Sequence, residues 1–276
     1  MFSNILKFFL FIVLINTAGH IHAQDSLQLI RKFVQLSSGY QQAPLSVKMV
    51  ISRQSDIIDS PQDSATSHAE FCLLKTGSYV RMDGMVQVAN DSLMLLIADA
   101  GQRMMLYPNK TGWQQQMAAR AGWQLQDSSL IKMAGKYTAK SGSDAGSHAQ
   151  ETITLDAKEM ITGTGLPRET IEMTYHTSAS VPVKIVQLQR KLIPLEPSTY
   201  QALLTQPEYA GKLAALEGGK FYLVKTYSTT YDFLEIKNGD DVAGLPLQIN
   251  QCVGRTAGGQ YEPVKDYTGY ALTQNF

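Results

Sequence analysis

The sequence predicts a mainly β fold of the α+β type. The expected architecture is an N-terminal helix followed by a curved antiparallel sheet, with short inserted helices. Three observations carry this. Leu27, Ile30, Phe33, Val34 and Leu36 recur at offsets of three and four, the spacing of one apolar helix face, and Gly39 is a natural stop. From Pro44 onward the apolar period changes to two. Turn residues then recur every few positions, the rhythm of an antiparallel meander.

The elements follow in order. Residues 44–53 alternate Leu45, Val47, Met49 and Ile51 with more polar neighbours. Residues 67–75 and 78–82 flank Thr76-Gly77 as a hairpin. Short strands are expected at 85–89, 93–97 and 103–107, separated by Asn90-Asp91 and Ala100-Gly101 and ended by Pro108-Asn109. Residues 111–150 break the rhythm. Gly112-Trp113-Gln114 recurs as Gly122-Trp123-Gln124, Met117 to Ala121 favour a short helix, and 141–147 reads as a loop. Strands resume at 151–155, 170–177 and 183–192. Two short helices are expected at 197–204 and 208–216, the first opening on Pro197. Strands at 221–227 and 231–236 lead to the turn at 238–241. The tail holds apolar stretches at 247–253 and 267–276, with glycine-rich 254–259 between them.

Composition excludes several classes. The 24 basic and 24 acidic residues cancel, so there is no basic excess to neutralise nucleic-acid phosphates. A hydrophobic content of 44% argues against pervasive disorder. Residues 1–23 have the layout of a secretory signal peptide: Lys7, the apolar run Phe8–Ile15, then small and polar residues up to Ala23. The run is shorter than the roughly 20 residues a spanning helix needs. No later window is apolar enough to cross a bilayer as a helix. The expected product is a periplasmic or secreted chain, one domain over 24–276 with no transmembrane segment after cleavage. Cys72 and Cys252 would then meet an oxidising compartment. Two readings stay open for them: one disulfide, whose long loop gives about 5 kcal/mol in the chain-entropy model, or two buried thiols.

Catalytic patterns are absent: there is no nucleophile elbow, zinc-protease helix or phosphate loop. Gly163 to Arg168 opens like a dinucleotide loop but lacks the third glycine, and Pro167 interrupts it. The mature histidines His68, His148 and His176 are scattered, so no metal site or cofactor is expected.

The run Gly77–Asp83, then Asn90–Ile97, then Arg103–Asn109, resembles the successive strands and aromatic-proline stop of the outer-membrane lipoprotein carrier and receptor (LolA/LolB-like) family. Glu169–Tyr175 and Pro182–Ile185 are similar to that family's second set of strands. The resemblance covers residues 26–192 and leaves 192–276 as an extension. It implies an incomplete barrel around a helix, an apolar cavity sheltering acyl chains, and a lipid or lipoprotein partner with an outer-membrane association. The arginine associated with closing the family's cavity does not align by pattern, Arg53 on the first strand being the candidate counterpart, and no cysteine near the signal junction supports a lipid-anchored form. Carrier activity itself therefore does not follow.

Methionine is the distinctive side chain, and it adapts to irregular apolar partners. The expected ligand-facing set is Val47, Met49, Phe71, Leu73, Val80, Met82, Leu95, Met104, Leu106, Ile153, Ile171 and Met173. A one-residue slip would send any strand's set to the other face. Trp113, Met117 and Trp123 are either a lid over the opening or satellite core. Three functions remain: a non-catalytic binder of an acyl chain or lipidated partner, an interaction protein with a filled β core, and a hydrolase whose site is assembled from distant residues.

Overall fold

The computed structural model describes residues 25–37, 43–110, 127–143, 149–178, 182–216 and 218–276. The expected helix is present at 25–37 (α1). There follow β1 (Leu45–Ser55), β2 (Ser64–Leu74), β3 (Gly77–Met82), β4 (Met85–Asn90), β5 (Leu93–Ala98) and β6 (Arg103–Pro108). Next come α2 (Asp127–Lys136), β7 (Tyr137–Ser143), β8 (Gln150–Ala157), the short pair β9 (Met160–Ile161) and β10 (Leu166–Pro167), β11 (Glu169–His176) and β12 (Pro182–Leu195). The chain closes with α3 (Pro197–Leu204), β13 (Leu213–Leu216), β14 (Lys220–Asn238), β15 (Val253–Arg255), β16 (Tyr261–Pro263) and β17 (Ala271–Gln274).

The hydrogen-bonded order is β17-β6-β5-β4-β3-β2-β1-β14-β12-β11-β8-β7, with β13 beside β14. Strands β1 to β6 pair antiparallel in succession, as do β7, β8, β11 and β12 and the pair β13–β14, and β17 joins β6 in parallel. Among the described residues its order is open-ended, and these strands do not close into a barrel. This bears out the predicted mainly β class.

Two compact units divide the chain. The first comprises Met1–Ser37, Ser55–Ile57 and Leu125–Ser228. The second comprises Ser38–Gln54, Ile58–Gln124 and Thr229–Phe276. In the first, Ile30, Phe33 and Leu36 of α1 and Leu130 of α2 pack with Tyr137, Ile153, Leu155, Met173 and Tyr175. These strand residues stand two apart and share a face by register, with Met173 opposite Ile153 and Tyr137 opposite Ala157. The α1 periodicity thus buries one helix stripe on one sheet face.

In the second unit β2–β6 form the predicted meander. Asp83 and Gly84, both at positive φ, make the two-residue turn that sets Met82 opposite Met85. Gly77 is needed for a different reason: a Cβ there would lie 2.4 Å from the Ala89 carbonyl oxygen. Irregular chain from 242 to 272 covers one face, with Ile249, Cys252 and Val253 buried and Leu245, Tyr267 and Leu272 packed around them.

Several elements differ from the sequence expectation. Residues 221–236 form one strand rather than two, because Ser228-Thr229-Thr230 carries no glycine or proline and β-branched residues suit an extended chain. Residues 208–216 are not a helix: Gly211 sits at positive φ and 213–216 pairs with β14. Helix α2 and strand β7 lie where only a connection was expected, with a looser apolar spacing than α1.

Candidate ligand-binding face

Register sorts the second unit's side chains into two faces. Cys72, Tyr79, Val88, Leu95 and Leu106 stand opposite one another across β2–β6. This face, joined by Val86, Ile97 and Met104, is sealed by the 242–272 segment. Leu95, Ile97, Met104 and Leu106 are fully buried there.

The opposite face is a different surface made by the same strands. One row runs Leu45, Leu73, Ser78, Ala89, Met94 and Tyr107. The next runs Val47, Phe71, Val80, Gln87, Leu96 and Met105. The third runs Met49, Ala69, Met82, Met85, Ala98 and Arg103. Of the six methionines on β1–β6, five lie on this face and only Met104 on the sealed one. Exposure varies within the rows: Leu45, Val47, Ala69, Ser78 and Ala89 are buried, Phe71, Val80, Met94, Leu96 and Met105 are half-buried, and Met82 and Met85 reach 44% and 47%. The Tyr107 hydroxyl donates to the Met105 sulfur at 3.3 Å.

Charge gathers beside the third row but on the opposite face, where Lys48, Glu70 and Arg81 stand opposite one another in the row of Val86, Ile97 and Met104. A cavity of about 450 Å³ is lined there by Met49 and Leu234 together with Lys48, Glu70 and Arg81. Lys48 and Lys237 both pair with Glu235, at 3.2 and 2.7 Å, and these bonds, Lys237's first, hold its carboxyl below the usual range.

The structure therefore divides the twelve expected ligand-facing residues. Val47, Met49, Phe71, Leu73, Val80 and Met82 share the methionine face. Leu95, Met104 and Leu106 are a correction: they belong to the sealed core on the other side, one residue out of register. Ile153, Ile171 and Met173 stand on one face of the first unit, where Ile153 and Met173 are fully buried and packed with α1 and α2. Met85, Met94, Leu96 and Met105 share the methionine face and were not among the twelve. The signal was available: the Asp83-Gly84 turn fixes Met82 opposite Met85, and counting through the following four-residue connections reaches Met94 and Arg103. Trp113, Met117 and Trp123 lie outside the described residues.

Cys72 and Cys252 are not joined. Both are buried in the sealed core. The Cys72 thiol points to the Gly244 carbonyl at 3.4 Å and the Cys252 thiol to that of Gln248 at 3.5 Å. Burial pushes the Cys72 thiol pKa up and that of Cys252 up to about 11.

The first unit's helices are fastened by two similar clusters. Lys32 of α1 bonds Glu151 at 3.3 Å and lies over the Tyr175 ring, while Tyr175 donates to Glu151. Lys136 at the end of α2 bonds Glu169 at 2.9 Å and lies over the Tyr137 ring, and Tyr137 donates to Glu169 at 2.6 Å. Burial opposes ionisation of Glu169, yet bonds from Tyr137, Lys136 and Gln187 hold its pKa below the ordinary value. Among the described residues no three His, Cys, Asp or Glu side chains gather as a metal site, and no helix is long and apolar enough to cross a membrane.

No family model matches the chain, and no curated protein matches it. Solved structures give distant likenesses. A LolA superfamily protein from Nitrosomonas europaea is 8% identical, with 78% of this chain and 94% of that one covered and a TM-score of 0.23. A putative outer membrane lipoprotein-sorting protein domain from Vibrio parahaemolyticus is 10% identical, with 83% and 96% covered and a TM-score of 0.24. Overlaps this loose carry no function across.

Proposed function

We propose that this is an exported, non-catalytic protein that holds an apolar ligand, an acyl chain or a lipidated partner, on its methionine face. The carrying observation is the asymmetry of the β1–β6 sheet. One face is covered by the 242–272 segment and fully buries Leu95, Ile97, Met104 and Leu106, while the other is an apolar surface with five unbranched, adaptable side chains left partly accessible. Core packing alone gives no reason to concentrate methionine there, whereas an acyl chain of variable conformation does. The layout of residues 1–23 supports export, to the periplasm or outside the cell.

The test is direct. Gentle purification and native mass spectrometry are expected to reveal an apolar adduct, and a fluorescent long-chain fatty acid is expected to be taken up. Met94→Glu and Met105→Glu are expected to reduce uptake about tenfold or more, since each sets a charge where the chain would lie. Recovery without any adduct, together with no uptake by the unaltered protein, would falsify the proposal.

A further inference from the structure

On the sealed side of the second unit, the 242–272 segment does not fill all the space above the sheet. A cavity of about 580 Å³ remains between it and the ends of β2, β4 and β5. Its floor is apolar: Leu74, Val88, Leu93, Leu245, Ile249 and Val253, all members of the sealed core or packed against it. A neighbouring cavity of about 530 Å³ reaches Gln274 and Phe276. Arg255 and Tyr261 line both.

Arg255 is the one charged side chain lining either cavity. Its position is set by its own hairpin. Nε donates to the Gly259 carbonyl at 3.2 Å, and that turn is closed by Gly259 N to the Thr256 carbonyl at 2.9 Å and Thr256 N to the Gln260 carbonyl at 2.8 Å. Gly259 takes φ +84, which favours glycine there. Nε is thus occupied while both Nη groups remain available, and no carboxylate among the described residues pairs with them. Tyr261 beside it is stacked on Phe276, with centroids 5.8 Å apart. The polar neighbour Asn90 is already committed, its Oδ1 accepting from the backbone N–H groups of Ser92 and Leu93.

We propose that this cavity is a second binding site, distinct from the methionine face, for a small apolar monocarboxylate. An apolar floor of this volume suits a short aliphatic or aryl body. The guanidinium stands at the exposed edge of the cavity with Nε tied to its own hairpin and its outer nitrogens free, which suits a carboxylate held through two parallel bonds. No acidic side chain lines the cavity to compete with a bound carboxylate.

The experiment uses the full chain and a matched probe pair, 3-phenylpropionate and its neutral twin 3-phenylpropanol, followed by ligand-observed NMR and titration. The acid is expected to bind about tenfold or more tightly than the alcohol, the discrimination of one charge-assisted pair. Arg255→Gln is expected to remove that preference and leave alcohol binding unchanged, and Arg255→Lys to retain part of it. Asn250→Trp, on the exposed rim of the larger cavity, is expected to abolish binding of both without touching the arginine. Met94→Glu is expected to leave acid binding intact, which separates this site from the methionine face whether or not that face binds a chain. Equal affinity for acid and alcohol, an unchanged preference in Arg255→Gln, or loss of acid binding in Met94→Glu but not in Arg255→Gln each overturns the proposal.

Discussion

The two faces of the β1–β6 sheet come from the same strands, residue by alternate residue, and both are apolar. One carries Val86, Val88, Leu95, Ile97 and Leu106 beneath an irregular cover; the other carries Met49, Met82, Met85, Met94 and Met105 in graded contact with solvent. Branched side chains have few rotamers and lock into a fixed partner. Methionine has three rotatable bonds and tolerates a partner of changing shape. The difference teaches that hydrophobicity alone does not tell the two faces apart. The kind of apolar side chain, sorted by register, does.

The largest expected effect breaks the comparison at neighbouring residues. Leu106→Ala removes a fully buried side chain and is expected to cost about 3 kcal/mol, whereas Met105→Ala, half-exposed next to it, is expected to cost about 1 kcal/mol or less. Urea denaturation reads both, and equal losses would show that the faces are not different. Two glycines come next. Gly77→Ala drives a Cβ to 2.4 Å from a backbone oxygen and is expected to cost about 2 kcal/mol or more by overpacking. Gly84→Ala meets no atom within 4 Å and suffers only from φ +79, so about 1 kcal/mol is expected. The same assay ranks them.

How far the sequence carried this can be judged from the same strands. Positions of β1–β6, β8, β11, β12 and of helices α1 and α3 were legible because hydrophobic period and turn chemistry are local. Face was lost at β5, where Leu93 to Ile97 is apolar on both sides and alternation offers no choice. It was recoverable only by carrying register forward from Asp83-Gly84. The cover over Leu95 and Leu106 was not legible. Residues 242–272 are mostly irregular, and their packing on the meander is a long-range matter that no local pattern encodes. For the same reason Arg255 read as part of a glycine-rich loop, although the β15–β16 hairpin sets it over a cavity.

A smaller effect probes the sealed face by pH. Burial raises the Cys252 thiol from 9.0 to about 11 and the Tyr267 phenol from 10.0 to about 12. Both keep their protons in the folded state over a range where the unfolded chain releases them. Their contribution is therefore complete below pH 9 and is lost as pH rises through 11 and 12. The urea midpoint is expected to hold from pH 7 to 8.5 and fall above 9, less steeply in Cys252→Ala. A midpoint that rises in this range would contradict the burial of both groups.

The gentlest probe sharpens the comparison within one residue type and barely moves stability. Brief treatment with dilute peroxide converts accessible thioethers to sulfoxides. Met82 and Met85, nearly half exposed, are expected to oxidise first, Met94 and Met105 later, and Met104 and Met173, with no exposed surface, only on unfolding. Peptide mass spectrometry gives the order. Met104 and Met105 are adjacent in the chain, so any difference in their rates reports the face and not the locality. A long-chain fatty acid is then expected to slow oxidation at Met94 and Met105 while leaving Met104 unchanged. Slowing by 3-phenylpropionate at those positions would instead mean that both ligands use one surface.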